Sequence, residues 1–517
     1  MQGSRTACRI KPETIGPQTG GNEAQMIEKT PPRLSFWKKA IFGMGDIYAG
    51  GGQQLVGFLY FFFLTDVVGL RPALAGLAML ICKAWDAISD PMMGVISDRT
   101  KSRWGRRRPY FLAGTVLIFL SFSGLWLPFR FGSQLAIFAF TLLVWLFHET
   151  ICSMVLVPFY ALGGDLTADY NERNAIMFSR LFISSFSVIL AAVLPKMIVS
   201  AFADQRAGYA LMGAAFAVLF ALPWLLIFYT FPERGRQTSI DGTLTVREQI
   251  TEPLRIRSCR QLMLLFICGY AAVDVMSGVF IYFMTYFMHR TNYNLVLGAL
   301  LIGQICLLPV SLMLANKIGK RNTLILGYAW WILLIISMAA LTPAMPKWLI
   351  FIAAFLMGGG SGTAAFIPWA IFPDVADVGE LVYGVRREGV FSGFLTFSRK
   401  CASALAMGTF GVAIDLAGFV KPLTKTVHGV AQSITQVQPE AVNWVIRGYL
   451  FLMPLCLLTL GIFIARRFNL TPQIHARIQA ILLARRDAGS GPAPSQLEID
   501  ALSELLIGGR QIAKAKE

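Results

Sequence analysis

The stretch "KAWDAISDPMMGVISDRTKSRWGRRRPY", residues 83–110, places two acids inside an apolar segment and ends in a cluster of arginines. An apolar segment followed by a basic loop is typical of a membrane span that ends in the cytoplasm, because basic loops are retained there. Asp86 and Asp90 are four positions apart, so on a helix they share one face at a separation of about 6 Å. The stretch therefore predicts a transmembrane helix that carries two neighbouring carboxylates.

The composition of the whole chain agrees with a membrane protein. Of its 517 residues, 55% are hydrophobic and 15% are charged, whereas a soluble protein has about 25% charged residues. The net charge of +17 lies mostly in short loops between apolar blocks, where basic residues set topology. The eight cysteines show no CxxC or other ligand spacing, so they predict neither a disulfide framework nor a metal cluster. We expect an all-α polytopic membrane protein that has no nucleic-acid partner.

Apolar blocks of roughly 20 residues, the length that crosses a bilayer, occur as six, a long polar loop, and six more. They lie near residues 40–65, 73–97, 109–129, 133–162, 178–202, 208–231, 261–288, 294–315, 323–342, 348–372, 389–419 and 445–466. The predicted organisation is a tail at 1–37, a bundle at 38–231, a loop at 232–260, a bundle at 261–467 and a tail at 468–517.

Basic loops fall on one side of this arrangement, which places both termini in the cytoplasm and the protein in the cell (inner) membrane. Residues 1–37 are polar and lack the apolar core of a signal peptide. A weak internal repeat relates "SDRTKSRWGRRR" after the second span to "ANKIGKR" after the eighth. Two six-helix halves joined by a long loop are the organisation of rocking transporters, so we predict the major facilitator fold with twelve transmembrane helices.

Ionisable residues inside the membrane are candidate functional residues, because a charge at mid-bilayer costs about 2.5–3.5 kcal/mol on insertion scales. Asp86 and Asp90, with the Ser89 hydroxyl between them, suit a hard cation such as Na⁺, which takes oxygen ligands. They also suit a proton, because two close acids in a dry place do not both ionise easily. The alternative is that the acids pair with Lys83 or Arg180 and only hold helices together.

Other charged residues within predicted spans leave two interpretations open. Glu149 and Asp274 either line a central cavity or neutralise Lys400 or Arg180. Lys400 is expected to serve as counter-ion to cavity acids or as donor to substrate oxygens, and otherwise to extend to the interface. Arg399, its neighbour, points elsewhere and is expected to extend to the interface.

Three segments outside this acidic pair also carry expectations. Asp98 and Arg99, in the loop that contains Arg106, either latch a neighbouring helix in one conformation or form a topogenic patch. The glycines of "MGGGSG" at 357–362 permit close helix approach or plain packing. A helix is predicted at 471–487, where Ile474, Ile478, Ile481 and Leu482 form one stripe, with a second at 495–508. The first helix would lie on an anionic leaflet or pack on the cytoplasmic loops.

Five motifs together resemble the glycoside–pentoside–hexuronide:cation symporters, the melibiose permease group of the major facilitator superfamily. They are "LTDVVGL" at 64–70, "AWDAISDPMMG" at 84–94, "SRWGRRRPY" at 102–110, "VPFYALGGDLTADYNER" at 157–173 and "PDVADVGELVYGVRREGVFSGFLTFSRK" at 373–400. The similarity extends over roughly residues 40–470. It implies a symporter driven by Na⁺, H⁺ or Li⁺ that carries a small-molecule substrate and contains no cofactor.

The resemblance also assigns roles to residues. It places Asp86, Ser89 and Asp90 on the family's cation site and Ser153 on its hydroxyl ligand. The residues that it places at the substrate are Tyr160, Arg180 and Lys400, and Asp46 is offset from the family's first-helix aspartate by several positions. Two departures matter, because Leu156 replaces a sugar-binding aspartate and Ala365 replaces a tryptophan near the sugar. The resemblance therefore implies that the cation site is kept while the galactoside site is not.

Leu156 and the phenylalanine-rich "LYFFFL" at 59–64 fit a second interpretation weakly. Relatives of this family resemble sodium-dependent lysolipid carriers, which keep the cation site and carry an amphipathic substrate. For residues 59–64, an ordinary lipid-facing surface is the favoured interpretation. An enzyme is not expected, because "HETIC" is not HExxH and "GGGSG" lacks the spacing of GxSxG. A channel or receptor is not expected either, because it would not need paired halves with two carboxylates at one site. We expect the protein to be a monomer surrounded by membrane lipids.

Overall fold

The structure is a computed structural model of the chain. It describes residues 34–129, 131–166, 170–232, 251, 253–290, 292–339, 345–384, 388–427, 430–434 and 436–486. The predicted tail at 1–37 and the central loop at 232–260 lie largely outside these residues, and the helix predicted at 495–508 lies entirely outside them.

The described residues of the first half form seven helices. The first spanning segment starts with α1 (Phe36–Asp46), includes the short α2 (Gln53–Leu55), and has π-helical turns at Ile47–Gly52, Val56–Tyr60 and Phe63–Val68. Long helices follow, and they are α3 (Pro72–Arg99), α4 (Arg108–Leu125), α5 (Gln134–Asp165), α6 (Tyr170–Ser200) and α7 (Gln205–Thr230).

The second half repeats this pattern. Its helices are α8 (Arg257–Tyr282), α9 (Tyr293–Ile318), α10 (Lys320–Ala339), α11 (Lys347–Tyr383), α12 (Glu388–Leu416), α13 (Glu440–Arg447), α14 (Met453–Arg466) and α15 (Pro472–Arg486). Helix α8 continues into a π-helical turn at Phe283–Phe287, and a π-helical turn at Gly448–Leu452 joins α13 to α14. A small antiparallel hairpin of β1 (Leu423–Val427) and β2 (Val430–Ile434) lies between α12 and α13.

Each of the twelve predicted spans corresponds to a helical segment of the structure. In the described residues, ten helices are long and apolar enough to cross a membrane. The other two predicted spans are the first segment, which π-helical turns divide, and α12, which carries Arg399 and Lys400 in its middle. The fold predicted from the sequence is therefore confirmed.

The two halves contact each other through α3 with α12 and through α6 with α9. We call the end of the molecule that carries loop 100–107 and α15 the basic end. The contacts between the halves that the structure describes concentrate at the opposite end. They include a hydrogen bond between Thr65 and Tyr282 and an ion pair of 3.1 Å between Arg71 and Asp415. The structure is thus closed at the end opposite the basic loops.

The aromatic segment 59–64 belongs to this closed end. Tyr60, Phe61 and Phe63 are buried, and Tyr60 packs its ring 4.7 Å from that of Trp145. Phe61 lies 5.8 Å from the ring of Phe410 in the other half. The expectation of a lipid-facing surface at 59–64 is therefore wrong, because its rings pack partly inside the first half and partly against the second half.

Glycines allow the backbones of α9 and α11 to touch. A Cβ on Gly303 would lie 2.0 Å from the Phe355 carbonyl oxygen, and a Cβ on Gly358 would lie 2.3 Å from that of Leu300. At residues 357–362 the structure therefore shows the close approach of two helices, α9 and α11, that the glycines permit.

Helix α15 lies against α11 at the basic end. Ile478, Ile481 and Leu482 of its apolar stripe are buried, and the His475 ring lies 3.0 Å from the Asp377 carboxylate. The helix predicted at 471–487 thus packs on the protein by its apolar face.

Candidate cation and substrate site

Lys400 joins the two halves at the acidic pair of α3. Its ammonium nitrogen lies 2.7 Å from a carboxylate oxygen of Asp86 and 2.7 Å from one of Asp90. The side chain of Asp86 is 5% exposed and that of Asp90 is 35% exposed. Helical spacing brings the two acids to one face of α3, and α12 packs along that face. The acids therefore pair with Lys400 of the other half, and not with Lys83 or Arg180.

Two hydroxyls lie beside this cluster. Ser89 bonds the Asp86 carbonyl at 3.2 Å, and its Oγ lies 2.7 Å from Oγ of Ser153 on α5. With both acids ionised, two carboxylates and one ammonium leave a net charge of −1. Among the described residues, no three His, Cys, Asp or Glu side chains converge on one point. The group therefore offers two carboxylates and two hydroxyls, and it retains one uncompensated negative charge.

Arg180 forms a second ion pair within the first half. Its guanidinium bonds Asp46 of α1, with one N–O distance of 3.2 Å, and lies 5.0 Å from the ring centroid of Tyr160. The Tyr160 side chain is 46% exposed, whereas Leu156, one turn earlier on α5, is buried. The structure thus brings together three residues predicted at the substrate, namely Asp46, Tyr160 and Arg180.

Glu149 has a different partner from the two that the sequence suggested. It accepts from Lys83 at 3.0 Å and from the Trp145 indole at 3.1 Å. Its other carboxylate oxygen is buried and makes no hydrogen bond in the described structure. Glu149 therefore neutralises Lys83 inside the first half, and the expectation that it neutralises Lys400 or Arg180 is wrong.

Asp274 pairs with the arginine that was expected to extend to the interface. Arg399 lies 3.5 Å from its carboxylate and stacks 4.7 Å from the Tyr270 ring centroid. The Tyr270 hydroxyl in turn accepts from the Trp369 indole at 2.8 Å. The expected snorkelling of Arg399 is wrong, because α8 supplies a carboxylate and an aromatic ring that hold its guanidinium.

Asp98 and Arg99 are the last two residues of α3, and Arg106 lies in the loop that follows at the basic end. Asp98 pairs with Arg107 at 3.6 Å and with Arg106 at 3.9 Å, while Arg99 is exposed. Arg108 bonds the Phe228 carbonyl at the end of α7. The contact to a neighbouring helix end is therefore made by Arg108, within the first half, and the role of Asp98, Arg99 and Arg106 in gating stays a prediction.

Sequence reasoning named Lys83 only as an alternative partner of Asp86 and Asp90, and it did not anticipate the contacts of Tyr270, Trp369 and Arg399. An unpaired lysine inside a predicted span was a usable signal for Lys83, because a buried lysine needs an acid. The other three could be placed only by the packing of α8 against α11 and α12, because α8 lies far from these two helices in the chain.

Known proteins support the fold and the family. A solved D-xylose–proton symporter superposes with a TM-score of 0.60 at 14% identity, covering 83% of this chain and 97% of that one. The sodium-dependent lysophosphatidylcholine symporter 1-A of Danio rerio is 23% identical over 86% of this chain and 88% of its own. The isoprimeverose transporter of Lactiplantibacillus pentosus is 24% identical over 73% of this chain and 80% of its own.

The family described as "MFS/sugar transport protein" matches residues 41–472. This match covers both halves and every residue of the cation and substrate site named above. Together with a relative that is named a symporter and one that is named an isoprimeverose transporter, it confirms the resemblance inferred from the motifs. The chain belongs to the MFS/sugar transport protein family of the major facilitator superfamily.

Proposed function

We propose that this protein is a secondary active transporter that couples a cation to the symport of a sugar or glycoside by alternating access. The observation that carries the proposal is the bridge from Lys400 to Asp86 and Asp90. These three residues come from different halves of the molecule, and they hold one net negative charge at the point where the halves meet. A monovalent cation neutralises that charge.

The bridge gives the cation a way to change how the halves attract each other. A Na⁺ ion or a proton that binds Asp86 and Asp90 competes with the Lys400 ammonium for the same oxygens. The contact between α3 and α12 at this level is weakened as the ion binds, because the carboxylates no longer attract Lys400 as strongly. Cation binding therefore changes the relative populations of the conformations, because the cation has a different affinity for each of them.

We assign Na⁺ as the coupling ion, with H⁺ as the alternative. Na⁺ needs several oxygens, and the Asp86 and Asp90 carboxylates with the Ser89 and Ser153 hydroxyls supply them. A proton needs only one carboxylate. The transport cycle requires no chemical conversion of the substrate.

The substrate class follows from the family and from polar groups of the first half. Asp46, Tyr160 and Arg180 offer donors, an acceptor and an exposed ring, which suit a hydroxyl-rich solute. One relative is named for a lysophosphatidylcholine, and Leu156 is an apolar group in this region, so an amphipathic solute is the alternative. The buried segment 59–64 lends that alternative no support.

We also propose that both termini lie in the cytoplasm and that the protein works as a monomer in the inner membrane. The basic loop 100–107 and the end of α14, with Arg466 and Arg467, lie at one end of the bundles, which is the cytoplasmic end by the positive-inside rule. The closed end described above is then periplasmic, and the conformation of the structure is the inward-facing one.

Uptake into proteoliposomes tests this function. Labelled neutral glycosides, glycuronides and lysophosphatidylcholine are each offered with a Na⁺ gradient, with a pH gradient, and with neither. We expect concentrative uptake of a glycoside that requires the cation gradient. Asp90→Asn should abolish the cation dependence, because it removes the excess negative charge.

Asp204→Asn is the matched control, because Asp204 caps α7 away from the cluster and asparagine also caps helices. Uptake by Asp90→Asn with full cation stimulation would refute the coupling site. Concentrative uptake of lysophosphatidylcholine alone would support the alternative substrate. A pH gradient that drives full uptake without Na⁺ would assign the proton.

A further inference from the structure

A second group of polar and aromatic side chains lies in the other half of the molecule. Tyr270 and Asp274 are one turn apart on α8, Trp369 is on α11, and Arg399 is on α12. We call these four residues the Trp369 patch. Contacts already described join them in a chain, from Asp274 through Arg399 to Tyr270 and Trp369.

The two aromatic rings of the patch are held in fixed orientations. The Tyr270 hydroxyl donates to the Ala365 carbonyl at 2.9 Å while it accepts from the Trp369 indole at 2.8 Å. The Trp369 ring also packs edge-on against Phe266, with centroids 5.0 Å apart. A ring held on both its polar and its apolar side is a preorganised surface, which lowers the entropic cost of binding.

Three side chains of the patch are partly exposed. The Trp369 side chain is 38% exposed. The Asp274 and Arg399 side chains are each 27% exposed. Two charged groups in the middle of spanning helices avoid the hydrocarbon, so this exposure is to an aqueous cavity.

The chemistry of the patch selects a class of ligand. An exposed indole face packs on the C–H face of a sugar ring, while a guanidinium donates to hydroxyls and a carboxylate accepts from them. Asp274 and Arg399 neutralise each other, so the patch has no net charge. An anionic group would meet the Asp274 carboxylate without an unpaired cation to compensate.

We propose that the Trp369 patch binds the ring of a neutral glycoside and selects it over glycuronides and lysophospholipids. The proposal rests on the sugar symport proposed above and adds to it the half of the site that the second bundle provides. Trp369 supplies the stacking surface, and Asp274 with Arg399 bonds adjacent hydroxyls.

The patch is also joined to the cation cluster through one turn of helix. Arg399 and Lys400 are consecutive on α12, and their side chains reach Asp274 and the acidic pair, respectively. A sugar that engages Arg399 and a cation that displaces Lys400 therefore act on the same turn of α12. This adjacency places substrate and cation binding on one movable element.

Transport by variants in proteoliposomes tests the patch. Trp369→Ala should raise KM for the neutral glycoside roughly tenfold, because it removes the ring that stacks on the sugar. The half-saturating cation concentration should stay unchanged. Trp369→Phe keeps a ring and should give a smaller increase in KM. Trp330→Ala is the matched control, since Trp330 is 43% exposed and its indole also bonds another helix, at the Leu356 carbonyl.

Selectivity gives a readout that loss of folding cannot imitate. Asp274→Asn leaves Arg399 with an uncompensated positive charge, so uptake of glycuronide relative to neutral glycoside should rise several-fold. An unchanged KM in Trp369→Ala, or unchanged selectivity in Asp274→Asn, would overturn the assignment while leaving sugar symport intact. A wild-type protein that takes up no glycoside would instead refute the proposed function, and the patch assignment with it.

Discussion

Lys400 donates a hydrogen bond of 2.7 Å to Asp90, across 310 positions of the chain. The same ammonium contacts Asp86, which is more deeply buried. One side chain of the second half thus occupies the oxygens that the sequence predicts for a cation. Because the ammonium and the cation need the same carboxylates, we regard Lys400 as a competitor of the transported ion.

The first prediction concerns the charge of this cluster. Lys400→Gln removes the ammonium, so the net charge of the cluster changes from −1 to −2. The acids should therefore hold a cation more tightly. We expect the half-saturating cation concentration for substrate binding to fall about tenfold, which corresponds to about 1.4 kcal/mol. Turnover should also fall, because release of the ion becomes slow. Binding titrations with purified protein measure the first effect and counterflow measures the second.

Lys400→Arg is the control, since it keeps the positive charge. A Lys400→Gln protein that binds the cation no more tightly than wild type would show that Lys400 does not compete with the ion.

The second prediction concerns the buried pair of Lys83 and Glu149. Lys83→Met leaves the Glu149 carboxylate buried without its cation, which costs about 3–5 kcal/mol in comparable pairs. The double replacement Lys83→Met with Glu149→Gln removes both charges and should recover most of that loss. Thermal unfolding of the four proteins in detergent provides the double-mutant cycle.

The exposed pair of Arg71 and Asp415 provides the contrast. Asp415→Asn should cost no more than about 1 kcal/mol, because water screens the pair. Equal losses in stability for Lys83→Met and Asp415→Asn would contradict a structural role for the buried pair.

The sequence predicts elements well and partners poorly, and the acidic residues illustrate why. Helical spacing alone places Asp86 and Asp90 on one face, and the structure has them there. Their partner Lys400 lies on α12, and no local pattern in the sequence reports which helices of the two halves pack together. For the same reason Glu149 and Asp274 were predicted as functional charges without the correct partners.

Prediction from the hydrophobicity of the sequence has a similar limit. Hydrophobicity predicts a span at 40–65, but it does not distinguish a lipid-facing ring from a ring between helices. Phe63 packs on Trp126 inside the first half, whereas Phe61 packs on Phe410 of the second half. Both are tertiary contacts, which local hydrophobicity does not report. The π-helical turns of the first segment also have no periodic signature in the sequence.

The third prediction concerns helix α15. Ile478→Asp places a charge where the isoleucine is fully buried, and it forfeits about 1.5–3 kcal/mol of apolar burial. We expect α15 to detach from α11, so that limited trypsin digestion cleaves faster after Arg477. Gln479→Asp adds the same charge at the neighbouring exposed position and should leave cleavage unchanged. Equal cleavage of the two variants would show that the stripe does not hold the helix.

The last prediction concerns closure of the end opposite the basic loops. A Cβ on Gly411 of α12 would lie 2.5 Å from the Pro72 carbonyl oxygen of α3, so Gly411→Ala cannot fit this contact without separating the helices. Overpacking of this kind costs about 1–3 kcal/mol. Because that cost falls on the closed arrangement alone, the population that is open at this end should rise roughly tenfold.

A single reporter thiol measures the opening. Phe61→Cys, at a position that is buried in the closed end, is introduced after Cys8, Cys306, Cys401 and Cys456 are replaced by serine, which leaves only the four buried native cysteines. A water-soluble maleimide should then react faster in the Gly411→Ala background. Gly393→Ala on the same helix is the control, since a Cβ there meets nothing within 4 Å. If both backgrounds react at the same rate, the close approach of α3 and α12 is not what closes this end, and the ion pair of Arg71 with Asp415 becomes the next contact to remove.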